Sequence, residues 1–127
     1  RHVRLLVSAD YRLARKIGAH GVHLPEALAK RPSLIGRRPG WLVTAAAHSP
    51  AALNQAVRIG ADAALLSPVF ATQSHPGVPF LGAMRFAAMA RKAALPVYAL
   101  GGVSSKNIGQ LAPSRAVGVA AISGLAP

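Results

Sequence analysis

The stretch Gly60-Ala61-Asp62-Ala63-Ala64-Leu65-Leu66-Ser67-Pro68-Val69-Phe70-Ala71-Thr72-Gln73-Ser74-His75-Pro76-Gly77-Val78-Pro79-Phe80-Leu81-Gly82 decides the fold of this chain. A short apolar run, Ala63 to Ser67, leads into a polar, Pro- and Gly-rich loop. An Ala/Met-rich helical run follows over Gly82 to Ala94, and a second apolar run, Pro96 to Leu100, ends at Gly101-Gly102. This is strand, loop, helix, strand, with the polar loop at the C-terminal end of a buried strand, where α/β proteins keep their chemistry.

Working outward, four more apolar runs read as strands: Val3 to Ala9, Gly21 to Leu24, Trp41 to Ala46 and Val117 to Ile122. Helical stretches separate them. Tyr11 to Ile17 is short and amphipathic, and Ser105 to Leu111 follows the Gly-Gly turn. Ser49 to Ile59 starts with Ser49 as N-cap and Pro50 at the first helical position, a clear start signal. Continuous apolar strands alternating with helices predict a parallel sheet covered on both faces. A repeat supports this: Lys16-Ile17-Gly18-Ala19-His20-Gly21-Val22 resembles Arg58-Ile59-Gly60-Ala61-Asp62-Ala63-Ala64. Each copy is a helix end, a C-terminal glycine, a small residue and an entering strand. Short, regular βα units point to a (β/α)8 TIM barrel rather than a doubly wound sheet. Six strands do not close eight, so the expectation is a single barrel domain over residues 1–127. It would comprise approximately strands 3 to 8, without the first two βα units and the final helix.

Composition narrows the function. The 127 residues are 52% hydrophobic, enough for one domain with a real core. No apolar run reaches the roughly 18 residues that cross a bilayer, so no membrane partner is expected. The absence of cysteine excludes disulfides, thiolate metal sites and a cysteine nucleophile, and fits a cytoplasmic enzyme. With 15 Lys+Arg against 3 acidic residues the net charge is +12. The cations are scattered along the sequence and aromatics are only 5%, which weighs against nucleic acid. A solvated basic surface is the favoured reading, with attraction of anionic small molecules behind it.

Laid out in this order, Gly18 to Leu24, Ala47-His48-Ser49, Gly60 to Thr72, Pro96 to Gly102 and Val119 to Gly124 resemble the thiamine phosphate synthase and thiazole tautomerase (TenI-like) superfamily over nearly the whole chain. The resemblance implies a cytoplasmic thiamine-biosynthesis barrel that binds a small thiazole phosphate. Its synthases join an aminopyrimidine pyrophosphate to the thiazole phosphate with magnesium. At the two positions that carry magnesium carboxylates in that pattern, this chain has Ala9 and Leu28; Asp10 and Glu26 are near but out of register. Magnesium needs hard oxygen ligands, which neither Ala9 nor Leu28 supplies. The pattern's serine two residues before the histidine is Ala46, and its pyrophosphate-loop Lys and Thr are His75 and Ser74, which remain as loop contacts.

The resemblance keeps the other half of the site. Thr72, Gly101, Gly102 and Ser123 match the positions that bind the thiazole phosphate, and small residues at the ends of adjacent strands suit a phosphate. His48 matches the histidine proposed as acid/base in the tautomerase branch, which uses no metal; an imidazole suits proton transfer near neutral pH. The leading expectation is therefore a TenI-like thiazole tautomerase with His48 as catalytic acid/base and no cofactor. Magnesium-dependent thiamine phosphate synthase is the alternative, and a non-catalytic, regulatory phosphate-ligand binder is another. His23 is expected in the core and His20 in a structural role; the pair does not suggest metal, because a strand-and-turn context points such side chains apart. Homo-oligomerisation is left open.

Overall fold

The computed structural model describes residues 2–30 and 38–122. Strands β1 (Leu6–Ser8), β2 (Gly21–Leu24), β3 (Leu42–Ala47), β4 (Ala63–Leu66), β5 (Val97–Leu100) and β6 (Gly118–Ala120) form one sheet in the order β1-β2-β3-β4-β5-β6. Every pairing is parallel. Helices α1 (Tyr11–Lys16), α2 (Glu26–Ala29), α3 (Pro50–Arg58) and α4 (Gly82–Lys92) and a 3-10 helix (Ile108–Ser114) connect the strands. Consecutive strands that are also neighbours, with helical crossovers, make a curled partial barrel. Among the described residues β1 and β6 do not pair, so the sheet is not closed. No described helix is long and apolar enough to cross a membrane.

The core lies between sheet and helices. Val22, Leu24, Val43, Leu66 and Val97 point from the strands into it, and Phe86 from α4 is fully buried among them. Burial of a side chain of that size contributes on the order of 2–3 kcal/mol. α3 buries Ala52, Leu53 and Ala56 as one stripe, with Asn54 and Arg58 on its exposed side.

The repeat seen in the sequence has a mechanical role. The His20 N–H donates to Leu5 O at 2.9 Å, and Leu5 N–H donates back to His20 Nδ1 at 3.0 Å. At the second copy Asp62 N–H donates to Val43 O at 2.8 Å, and Val43 N–H donates to Asp62 Oδ2 at 2.8 Å. Each repeat thus pins the start of one strand to its neighbour, with a side-chain acceptor doing the work of a ladder bond. His20 is structural, as expected.

Two expectations need correction. The first strand is shorter than Val3 to Ala9, because Ala9 turns to φ 61° and starts the loop into α1. The stretch expected as a helix over Ser105 to Leu111 is a 3-10 helix shifted to Ile108–Ser114. Pro113 lacks the N–H that an α-helix needs and Gly109 disfavours one, so the segment takes the tighter form.

Candidate active site

All strands run the same way, so the loops that follow them meet at one end of the sheet. A cavity of about 840 Å³ opens there, a volume in the range of small-molecule sites. It is lined by His48, Thr72, Ser74, His75, Gly101 and Gly102, together with Ser67 and Ser104. These come from three loops, after β3, β4 and β5. Ser123 lies outside the described residues.

The Gly101-Gly102 turn is packed too closely for any side chain. A Cβ on Gly101 would stand 2.8 Å from Pro68 Cα, and one on Gly102 would collide with the Ala71 carbonyl oxygen. Both residues also have positive φ, at 99° and 64°. The turn is held to the β4 loop by Val69 N–H to Leu100 O and Phe70 N–H to Gly101 O, each 3.0 Å. Asn107, which the sequence reading did not single out, braces it from the other side. Its Nδ2 donates to Gly102 O at 2.8 Å and its Oδ1 accepts from Ser104 N–H at 2.8 Å. The signal was an Asn three residues after a Ser at a helix approach, an Asx-type brace. In the same β4 loop, Thr72 Oγ1 accepts from Ser74 N–H at 3.2 Å, which leaves the Thr72 hydroxyl proton free to donate to a ligand.

His48 follows the last residue of β3. Its Nδ1 lies 2.9 Å from Ser67 O and 3.2 Å from Ser67 Oγ. A carbonyl only accepts, so Nδ1 carries a proton and Nε2 is the nitrogen that can take or release one. Glu26, at the start of α2, accepts from His48 N–H at 3.0 Å, and the same oxygen lies 4.0 Å from His48 Nε2. The imidazole is thus oriented by Ser67 from one side and faces a carboxylate on the other. Neither Ser67 nor this use of Glu26 was legible in sequence, because the partners are 19 and 22 residues away.

The donor set does not suit magnesium. Ala9 and Leu28 offer no side-chain oxygen. Asp10 Oδ1 is engaged as the cap of α1, accepting from Leu13 N–H at 2.8 Å, and Glu26 is engaged with His48. Among the described residues no cluster of three or more His, Asp and Glu could hold a metal ion. The described residues do not fit a resident magnesium.

His23, inside β2, is half-buried, with Nδ1 2.9 Å from Thr44 Oγ1 on β3. Burial lowers its pKa, because a low-dielectric surrounding disfavours the charged ring. It does not line the cavity.

A family model described as thiamine monophosphate synthase matches residues 1–125. A protein of Aquifex aeolicus (strain VF5) named "Putative thiamine-phosphate synthase 2" is 38% identical over 120 residues, covering 94% of this chain and 64% of that protein. The "Thiamine-phosphate synthase" of Chloroflexus aurantiacus (strain ATCC 29366 / DSM 635 / J-10-fl) is 33% identical over 127 residues, covering 95% of this chain and 56% of that protein. This chain therefore spans less than two thirds of the length of either relative. The solved thiamine phosphate pyrophosphorylase from Pyrococcus furiosus superposes with a TM-score of 0.71 at 22% identity over 92% of this chain and 55% of that one, which supports the fold. Matched along nearly its whole length by the family model and by relatives above 30% identity, the chain belongs to the thiamine monophosphate synthase family.

Proposed function

We propose that this chain is the thiazole-phosphate-binding part of a thiamine-phosphate synthase, an enzyme joining an aminopyrimidine pyrophosphate to a thiazole phosphate. The names of the relatives favour this reading, which the sequence analysis held as its alternative, over the tautomerase it put first. The observation that carries the binding role is the Gly101-Gly102 turn, closed to side chains, packed against Phe70 and Ala71 just before Thr72, and bordering the cavity. Backbone N–H groups brought that close to a cavity, beside a hydroxyl with a proton to give, suit a phosphate.

A second reading rests on one specific observation. His48 has an oriented imidazole with Nε2 facing Glu26, while Ala9 and Leu28 stand where the family resemblance puts the magnesium carboxylates. That arrangement suits metal-independent proton transfer on a thiazole carboxylate phosphate, with Nε2 taking the proton from carbon and returning it to the ring.

Titration calorimetry with thiazole phosphate tests the shared part. The expected result is saturable binding that Gly102→Ala weakens at least tenfold and His48→Ala leaves intact; binding indifferent to Gly102→Ala would overturn it. Activity then separates the readings. Thiamine phosphate formed from the two substrates with magnesium supports synthesis. Tautomerisation in EDTA, lost in His48→Ala, supports proton transfer instead.

A further inference from the structure

Through the Gly-Gly turn, three successive carbonyls are occupied. Leu100 O accepts from Val69 N–H and Gly101 O from Phe70 N–H, each at 3.0 Å, and Gly102 O accepts from Asn107 Nδ2 at 2.8 Å. The donors are in the opposite state. Among the described residues no acceptor pairs with the N–H of Gly102 or of Val103, and both residues border the large cavity. Backbone N–H groups are obligatory donors, so this pair takes its acceptor from what fills the cavity. Successive N–H groups in a turn form a concavity that suits an anion.

A carbonyl oxygen left open at the same wall would turn the negative end of a dipole toward that anion. Asn107 removes it. The side-chain amide is fixed in one sense, because Oδ1 accepts from Ser104 N–H at 2.8 Å while Nδ2 donates to Gly102 O. Turned over, it would set oxygen against carbonyl and NH2 against N–H. One side chain thus ties residue 102 to residue 104 and holds Val103 between two anchored points. Asn107 is half-buried and does not itself border the cavity, so it acts through the turn alone.

We propose that Asn107 is a positioning residue for the ligand's phosphate. By engaging the Gly102 carbonyl it lets the N–H groups of Gly102 and Val103 meet the anion unopposed, and so sets the preference for a phosphorylated over an unphosphorylated thiazole. The inference rests on the phosphate reading of this cavity and is independent of whether the chemistry is synthesis or proton transfer.

NMR titration of the 15N-labelled chain with the thiazole phosphate, and with the thiazole alcohol that lacks the phosphate, tests it and reads weak as well as strong binding. In the parent the amide signals of Gly102 and Val103 should move with the phosphate and not with the alcohol. Asn107→Asp keeps the acceptor for Ser104 N–H and loses the donor to Gly102 O; Asn107→Ala loses both and adds no charge. Each should weaken the thiazole phosphate by about tenfold or more, the scale of one charge-assisted hydrogen bond. The alcohol should change by less than about twofold. Equal weakening of the two ligands would reduce Asn107 to a structural brace and overturn the proposal. A loss in Asn107→Asp that Asn107→Ala does not repeat would be charge repulsion alone, and would overturn it too. Gly102→Ala separates the inference from the reading beneath it. If that variant weakens phosphate binding and the Asn107 variants do not, the inference alone fails; if none of the three does, the phosphate reading fails with it. Thermal melting checks that each variant is folded, and Asn107→Asp, equal in size to the parent side chain, keeps the test open should Asn107→Ala not fold.

Discussion

His48 illustrates how a side chain gains chemistry from neighbours that sequence does not reveal. The family resemblance marked it as a candidate, but its orientation comes from the Ser67 carbonyl and its electrostatic setting from Glu26. Ala46, two residues earlier, has no part in that orientation. His23 shows the opposite case, a histidine whose environment matters for stability. Its folded-state pKa is lowered by burial, so on acidification the unfolded chain takes up the proton first. The stability from keeping His23 neutral is present in full above the unfolded value of about 6.5. It declines as pH falls through that value and levels off below the folded one. Chemical denaturation of the parent and His23→Gln, near pH 7.5 and pH 5, should show a smaller loss on acidification in the variant. Equal losses would mean that His23 is not the sensing group.

At the scale of elements, the start of α3 was the most legible feature. Ser49 caps α3 by accepting from Ala52 N–H at 3.1 Å, with Pro50 at the first helical position, as expected. Asp10, considered at first only as a displaced metal ligand, caps α1. Loss of such a cap costs about 1 kcal/mol. Urea unfolding of Ser49→Ala and Asp10→Ala should therefore each show a loss of that size, and an unchanged midpoint in either would refute the cap's contribution. Strand positions were legible because buried parallel strands are continuous apolar runs. Their ends were less so, since the turn at Ala9 depends on where α1 must dock. The 3-10 helix was misplaced because Pro113 sets the local geometry, an effect that apolar periodicity does not register.

Across the whole molecule, the open sheet sets a gradient of stability. β3 and β4 pair on both sides and carry the core, whereas β1 and β6 each pair on one side only among the described residues. Amide hydrogen exchange followed by mass spectrometry should find β3 and β4 slowest and β1 and β6 markedly faster. Uniform protection across the six strands would indicate that the edges are covered in solution. The sequence by itself determined the alternation of strand and helix, the parallel sheet and the Gly101-Gly102 turn at a strand end. Those follow from local patterns: apolar runs, caps and small residues at strand ends. Only the tertiary structure decided that Asn107 braces the Gly-Gly turn and that Ser67 and Glu26 flank His48. These depend on which distant segments the parallel crossovers bring together, and spacing along a chain does not encode proximity between strands.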